Sequence, residues 1–147
     1  MASVPTAQET YRDMVKAHLA PGLRALGFKG SGRNYELPCP EHWAMLGLQS
    51  SKWNDSREVH FTVNLLVVPR EVWDRERVER PYLGAKPTAN TRPGMFAWSE
   101  RLGILMPKGR DEWWRLKAGE KSSKVAQQVL KAIEIYGLPA MRAQLRS

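Results

Sequence analysis

Apolar residues in the first part of the chain recur at the three- and four-residue spacing of one helix face. Tyr11, Met14, Val15, His18, Leu19, Leu23 and Leu26 make the stripe. Thr6 followed by Glu9 fits a capping box that opens this helix, and residues 1–5 before it read as a loose tail. Pro21 must kink the helix or split it, because proline lacks an N–H and its ring strikes the preceding turn. Gly27 is a natural stop. Gly30, Ser31 and Gly32 then read as a turn, and Arg33 to Leu37 as a first strand. Pro38-Cys39-Pro40 marks a loop or an edge.

The period then changes from helical to alternating. Trp43 to Ser51 predicts a strand that is apolar on both faces. Asn54-Asp55-Ser56 predicts a turn, and Arg57 to Val68 is the clearest strand of the chain. In it Val59, Phe61, Val63, Leu65 and Val67 point one way, and Glu58, His60, Thr62 and Asn64 the other. The short polar turn makes the two strands an antiparallel hairpin. Pro69 ends the strand, and Arg70 to Arg80 reads as a charged, solvated helix with ion pairs three and four residues apart. Residues 81–95 carry Pro81, Gly84, Pro87, Pro93 and Gly94, which predicts a long irregular loop. Phe96 to Met106 reads as a strand, Pro107 to Asp111 as a turn and Glu112 to Leu116 as a short strand. Ser122 or Ser123 caps a last long helix whose stripe is Val125, Val129, Ala132, Ile133 and Tyr136 and which Gly137 ends. Pro139 opens a short terminal helix through Met141 and Leu145. Helix, strands, helix is the order of an α+β fold. We expect an antiparallel sheet of about four to five strands, packed on one face by an N-terminal and a C-terminal helix.

Composition narrows the class. The 147 residues suit one domain, and no apolar run is long enough to span a bilayer. The N-terminus lacks the apolar core of a secretory signal, so the expected compartment is the cytoplasm. Cys39 is the one cysteine, which rules out an internal disulfide and any multi-cysteine metal site.

Charge adds a direction. The chain carries 23 Lys and Arg against 15 Asp and Glu, net +8. Residues 107–147 hold nine of those bases and four of the acids. Lys108, Arg110, Arg115, Lys117, Lys121, Lys124 and Lys131 lie there beside Trp113 and Trp114. Such a set could contact phosphates, so nucleic acid is a possible partner. A solvated surface that keeps the chain soluble is the plainer explanation.

Order and spacing also carry a resemblance. Leu26-Gly27-Phe28-Lys29, Asn34-Tyr35, Leu48-Gln49-Ser50-Ser51-Lys52-Trp53 and Phe61-Thr62-Val63-Asn64 follow one another as in the bacterial domain-of-unknown-function 4304 family. Arg101-Leu102-Gly103, Asp111-Glu112-Trp113-Trp114 and Tyr136-Gly137-Leu138-Pro139 continue the match, which covers roughly residues 11–140. The chain resembles that family. The resemblance implies a single-domain fold and a bacterial cytoplasmic setting, and no chemistry.

Tests for catalytic chemistry come back empty. Cys39 sits between prolines with no histidine placed to activate it. His18, His42 and His60 form no metal-ligand pair on one element. Cys39 and His42 are two ligands where zinc needs three or four, so no metal and no cofactor is expected. The glycines Gly27, Gly30 and Gly32 follow a helix and precede a strand, the reverse of a phosphate-binding loop. His60, with Asn64 on the same strand face, is the one candidate general base, so enzymatic activity is left open but not expected.

What remains is a polar face. His60, Thr62 and Asn64, with Gln49, Ser51 and Trp53 from the neighbouring strand and Arg101 from the next, supply donors, acceptors and a stacking surface. They suit binding of a partner protein or a small ligand, with the 81–95 loop beside them. The leading expectation is therefore a non-enzymatic interaction domain. The alternative is nucleic-acid binding through Lys108, Arg110, Trp114, Arg115, Lys117, Lys121 and Lys124.

Overall fold

Capping chemistry at Thr6 starts the first helix as expected. The Thr6 hydroxyl accepts from the Glu9 N–H at 3.1 Å and the Glu9 carboxylate accepts from the Thr6 N–H at 3.2 Å. This is a computed structural model and it describes residues 4–146, so the first three residues of the expected tail lie outside the described residues. The helix runs as α1 (Ala7–Met14), a π-turn (Val15–Leu19) and α2 (Ala20–Ala25). Pro21 neither splits nor ends it. The turn ahead of the proline widens by one residue, and the Ala20 N–H donates to the Val15 carbonyl five positions back. That moves aside the carbonyl a proline ring would otherwise strike. The buried pair Met14 and Val15 therefore recurs five residues on, as Leu19 and Ala20. His18, expected on the stripe, is exposed instead. At the far end the Gly27 N–H donates to Arg24 and the Phe28 N–H to Leu23, a Schellman closure around Gly27 at φ +106°.

Six antiparallel strands follow: β1 (Lys29–Ser31), β2 (Asn34–Glu36), β3 (His42–Ser50), β4 (Glu58–Pro69), β5 (Trp98–Arg101) and β6 (Trp114–Lys117). The path is β1-β2-β3-β4-β5, and β6 also pairs with β4. The segment expected as a turn at Gly30–Gly32 is mostly strand. Gly30 faces β2 so closely that a Cβ there would lie 2.3 Å from the Asn34 carbonyl oxygen, and the turn falls on Gly32 and Arg33. The expected strand from Phe96 to Met106 stops at Arg101 and becomes a short helix, α4 (Leu102–Leu105). The reason is Gly103, which packs against the backbone of 110–112; a Cβ would meet the Glu112 nitrogen at 2.4 Å. The last strand starts two residues later and ends one residue later than the expected Glu112–Leu116. It takes up β4's edge at Phe61, where β5 has left off at Asn64.

The predicted parity of β4 holds. Val59, Phe61, Val63, Leu65 and Val67 are all buried and face the helices. The second helical layer is α5 (Ser122–Ala132), a π-turn (Ile133–Gly137) and α6 (Leu138–Leu145). Neither serine caps it: Lys121 holds the cap position without a side-chain bond. Gly137 does not end it either. The Leu138 N–H reaches back five residues to Ile133, one residue before Pro139, repeating the device used ahead of Pro21. The two helical layers touch closely where Leu130 sits over Gly22; a Cβ on Gly22 would be 2.3 Å from the Leu130 Cδ1.

The opposite face of the sheet is also covered, over part of its length. Helix α3 (Arg70–Glu79) places Trp73 against Met45, Leu66 and Val68, with Ala89 and Ala97 closing a second small core. Its outer side carries the expected ion pairs, Arg77 to Asp74 at 3.7 Å and Arg80 to Glu76. The 81–95 loop has no helix or strand but is tied down. The Trp73 Nε1 donates to the Gly84 carbonyl at 3.0 Å, and Lys86 pairs with Glu36.

Candidate functional site

Register assembles most of the expected polar residues on one sheet face. Gln49 pairs with Thr62, Asn64 with Arg101, and the Ser51 N–H donates to the His60 carbonyl. Thr62 and Asn64 are nevertheless buried, at 0% and 5% exposure. The Thr62 hydroxyl donates to the Glu112 carbonyl at 2.7 Å, across the break between β5 and β6. The Asn64 amide nitrogen donates to Gln49 at 2.7 Å and to Asn90 of the loop at 2.9 Å, and its oxygen accepts from Arg101 Nε at 3.3 Å. The Asn90 amide in turn donates to the Leu48 carbonyl at 3.0 Å. It fits because position 47 is glycine: a Cβ there would come within 2.2 Å of the Asn90 Oδ1. Arg101 also pairs with Asp111 and stacks over the Trp113 ring at 5.1 Å, while the Trp113 Nε1 donates to Asp111 at 3.1 Å. The network is internally satisfied, as buried polar groups must be.

Toward solvent the same face opens. His60 Nε2 lies 2.5 Å from Glu58 Oε1, and Arg115 Nε lies 3.8 Å from that oxygen. Asn54 clamps the His60 backbone, accepting its N–H at 2.8 Å and donating to its carbonyl at 3.2 Å. Trp53, at the tip of the β3–β4 turn, is 82% exposed with Lys52 over its ring at 5.1 Å. It stands apart from the buried network. Among the described residues no group of three His, Cys, Asp or Glu side chains is placed to hold a metal. Cys39 Sγ and His42 Nδ1 are 3.9 Å apart.

The C-terminal cations are all at the surface. Lys108 and Arg110 lie between α4 and β6, Arg115 and Lys117 on β6, and Lys121 and Lys124 where α5 begins. Arg115 and Lys117 share the His60 face. Trp114 turns the other way and stacks on Phe61, with ring centroids 6.2 Å apart.

The best-formed concavity lies elsewhere. A groove of about 820 Å³ runs between the first helix and the β2–β3 side of the sheet. Tyr11, Val15, Ala20 and Leu48 supply apolar side chains, and Arg12, Lys16, Arg24 and Arg33 supply four cations. No acidic residue lines it. Arg24 is held in place, donating through Nε and Nη2 to the Gly30 carbonyl at 3.2 and 3.0 Å. Arg12, Lys16 and Arg33 make no ion pair with any described residue. The Tyr35 hydroxyl donates to the Gly32 carbonyl at 2.9 Å and fixes the turn that carries Arg33. The Tyr11 hydroxyl has no hydrogen-bond partner among the described residues, and burial pushes its pKa well above the usual tyrosine value. It therefore stays protonated and able to donate. None of these residues was singled out in the sequence as a site. The one local signal was Tyr11-Arg12 repeated four residues on as Val15-Lys16, an apolar edge with a cation beside it at each turn.

Fold and groove together describe an α+β domain: an antiparallel sheet with the N- and C-terminal helices on one face, α3 over part of the other, and a cleft edged by four cations at one side. The chain belongs to the family described as domain of unknown function (DUF4304), whose family model matches residues 19–143. Tyr11, Arg12, Val15 and Lys16 precede the matched segment; Ala20, Arg24, Arg33 and Leu48 fall within it. No curated protein and no solved structure matches the chain. Among the described residues no helix is long and apolar enough to cross a membrane.

Proposed function

We propose that this protein is a non-enzymatic binding domain whose partner docks in the groove between the first helix and the β2–β3 side of the sheet. One observation carries the reading: an apolar floor edged by cations that the fold leaves without carboxylates. Side chains kept charged and unpaired around a concavity of this size suit an anionic ligand, and the volume falls in the range of small-molecule sites. The polar row on β4 supports docking less well, because Thr62 and Asn64 already have partners inside the fold. Exposed Ser50 lines the groove and continues into the turn that bears Trp53, so a larger partner could reach both.

The test is a set of ¹H–¹⁵N correlation spectra of the full chain, recorded as dodecanoate, a short oligoglutamate and a short single-stranded DNA are added separately. Shifts centred on the amides of Arg12, Lys16, Gly32 and Arg33 are expected with at least one of them. Shifts centred instead on Arg115, Lys117, Lys121 and Lys124 with the DNA would replace this reading by nucleic-acid binding through the C-terminal basic surface. Flat spectra with all three would sink the groove.

A further inference from the structure

The make-up of the groove narrows what it holds. Its floor is hydrocarbon and one aromatic ring, drawn from the first helix and from β3. The Tyr11 ring is not a free platform for a base, since it leans on Phe61 at 5.1 Å between centroids and is half-buried. The floor therefore offers apolar contact without reading hydrogen-bonding edges, which suits an alkyl chain better than a nucleobase. The edge is the opposite. Arg12 and Lys16 stand four residues apart on the first helix, and Arg33 comes from the β1–β2 turn. Guanidinium groups bind oxyanions through paired N–H donors, and an ammonium adds a point charge. The Tyr11 hydroxyl adds a neutral donor with no other partner among the described residues.

We propose that the occupant is a free single-chain amphiphile with one oxyanion head group, carboxylate or phosphate. Its tail lies against the half-buried Tyr11 ring, above the buried Val15, Ala20 and Leu48 at the groove's base, and its head sits among Arg12, Lys16 and Arg33. This rests on the groove being the binding site and adds the ligand's chemistry to it. Head and tail each contribute: charge alone is screened at an open edge, and the floor alone does not distinguish one alkyl compound from another.

Isothermal titration calorimetry on the full chain tests both halves. Dodecanoate and dodecyl phosphate, kept below their micelle concentrations, are compared with dodecyl maltoside and with inorganic phosphate. One saturable site is expected for at least one anionic amphiphile, at least about tenfold tighter than for either control, because each control lacks half of the interaction. The tighter of the two anions identifies the head group. The double variant Arg12→Glu/Lys16→Glu should weaken that binding by at least about tenfold while leaving the melting temperature near wild type, since both side chains are exposed and unpaired. Arg33→Glu, in the exposed turn, is a second and independent variant with the same expectation.

Equal affinity for inorganic phosphate or for the maltoside would overturn the proposal. So would binding that ignores both variants, or binding found only with phosphatidylglycerol vesicles and not with the free amphiphiles. If the amphiphiles fail while oligoglutamate or DNA still shifts the groove amides, this occupant falls and the groove reading stands.

Discussion

At Gly47 a missing side chain makes room for an amide from another part of the chain. The three nearest atoms to a Cβ built there all belong to Asn90. Gly47→Ala should therefore dislodge Asn90 and leave Asn64 and the Leu48 carbonyl each short of a partner, a loss of about 1–3 kcal/mol. Asn90→Ala should cost a similar amount. The double variant should fall short of the sum by about 1 kcal/mol or more, because the alanine at 47 no longer has an amide to strike. Urea denaturation of the four proteins measures this, and strict additivity would refute the coupling. At the first helix, Thr6→Ala should cost about 1 kcal/mol near neutral pH. The cap is also pH-dependent. The Thr6 backbone and hydroxyl hold the Glu9 carboxyl below its ordinary value of 4.5. The carboxylate form is therefore favoured by folding. Its contribution is present in full above the ordinary value and is lost as pH falls through the lowered, folded value. The melting difference between Thr6→Ala and wild type should narrow over that acid range, and a constant difference would count against the reciprocal bond. Thr6 and Glu9 were readable because their interaction spans three residues. Asn90 was not: it lies in a loop of prolines and glycines, and its partners are 26 and 42 positions away.

Each long helix contains a five-residue turn just ahead of a proline. If Pro21 is the cause, the extra residue is needed only while the proline is there. Deleting exposed Ala17 should cost about 3 kcal/mol or more with Pro21 in place, since the ring then meets a carbonyl, and much less in a Pro21→Ala background. Denaturation of that pair of deletions decides it, and equal costs would mean the wide turn has another origin. The same turn explains why helix boundaries could be read but one helix face could not. Alternation along β4 is a strict period of two, so its buried row was correct at every position. A uniform helical period puts His18 under Met14, whereas the observed step of five carries the burial to Leu19. The strand ending at Arg101 was overrun for a related reason. The apolar alternation continues through Ile104 and Met106, and only the contact of Gly103 with 110–112 turns the chain.

For the molecule as a whole, charge by segment was a poor guide to charge by place. The C-terminal residues hold most of the excess, yet the groove takes its four cations from residues 12–33, a shorter stretch with five bases against the single acid Asp13. A cleft is made by the fold, because Leu48 and Arg33 meet the first helix only when the sheet is formed. Burial singles out one tryptophan as a reporter of the surface. Trp53 is exposed, Trp73 is buried, and the other four tryptophans are half-buried. Trp53→Phe should shift the emission maximum to the blue and remove most of the iodide-quenchable signal. Unchanged quenching would mean that another tryptophan faces water.

The close crossing of Leu130 over Gly22 has a consequence for how the chain is made. The stripe of the first helix is translated early, but the helix that covers it comes roughly a hundred residues later. At about 5–20 residues per second, the ribosome leaves Met14, Leu19 and Leu23 without that cover for roughly 5–20 s. A nascent chain in that interval presents an amphipathic helix of the kind that chaperones hold. Pausing before residue 122 should lengthen that handover.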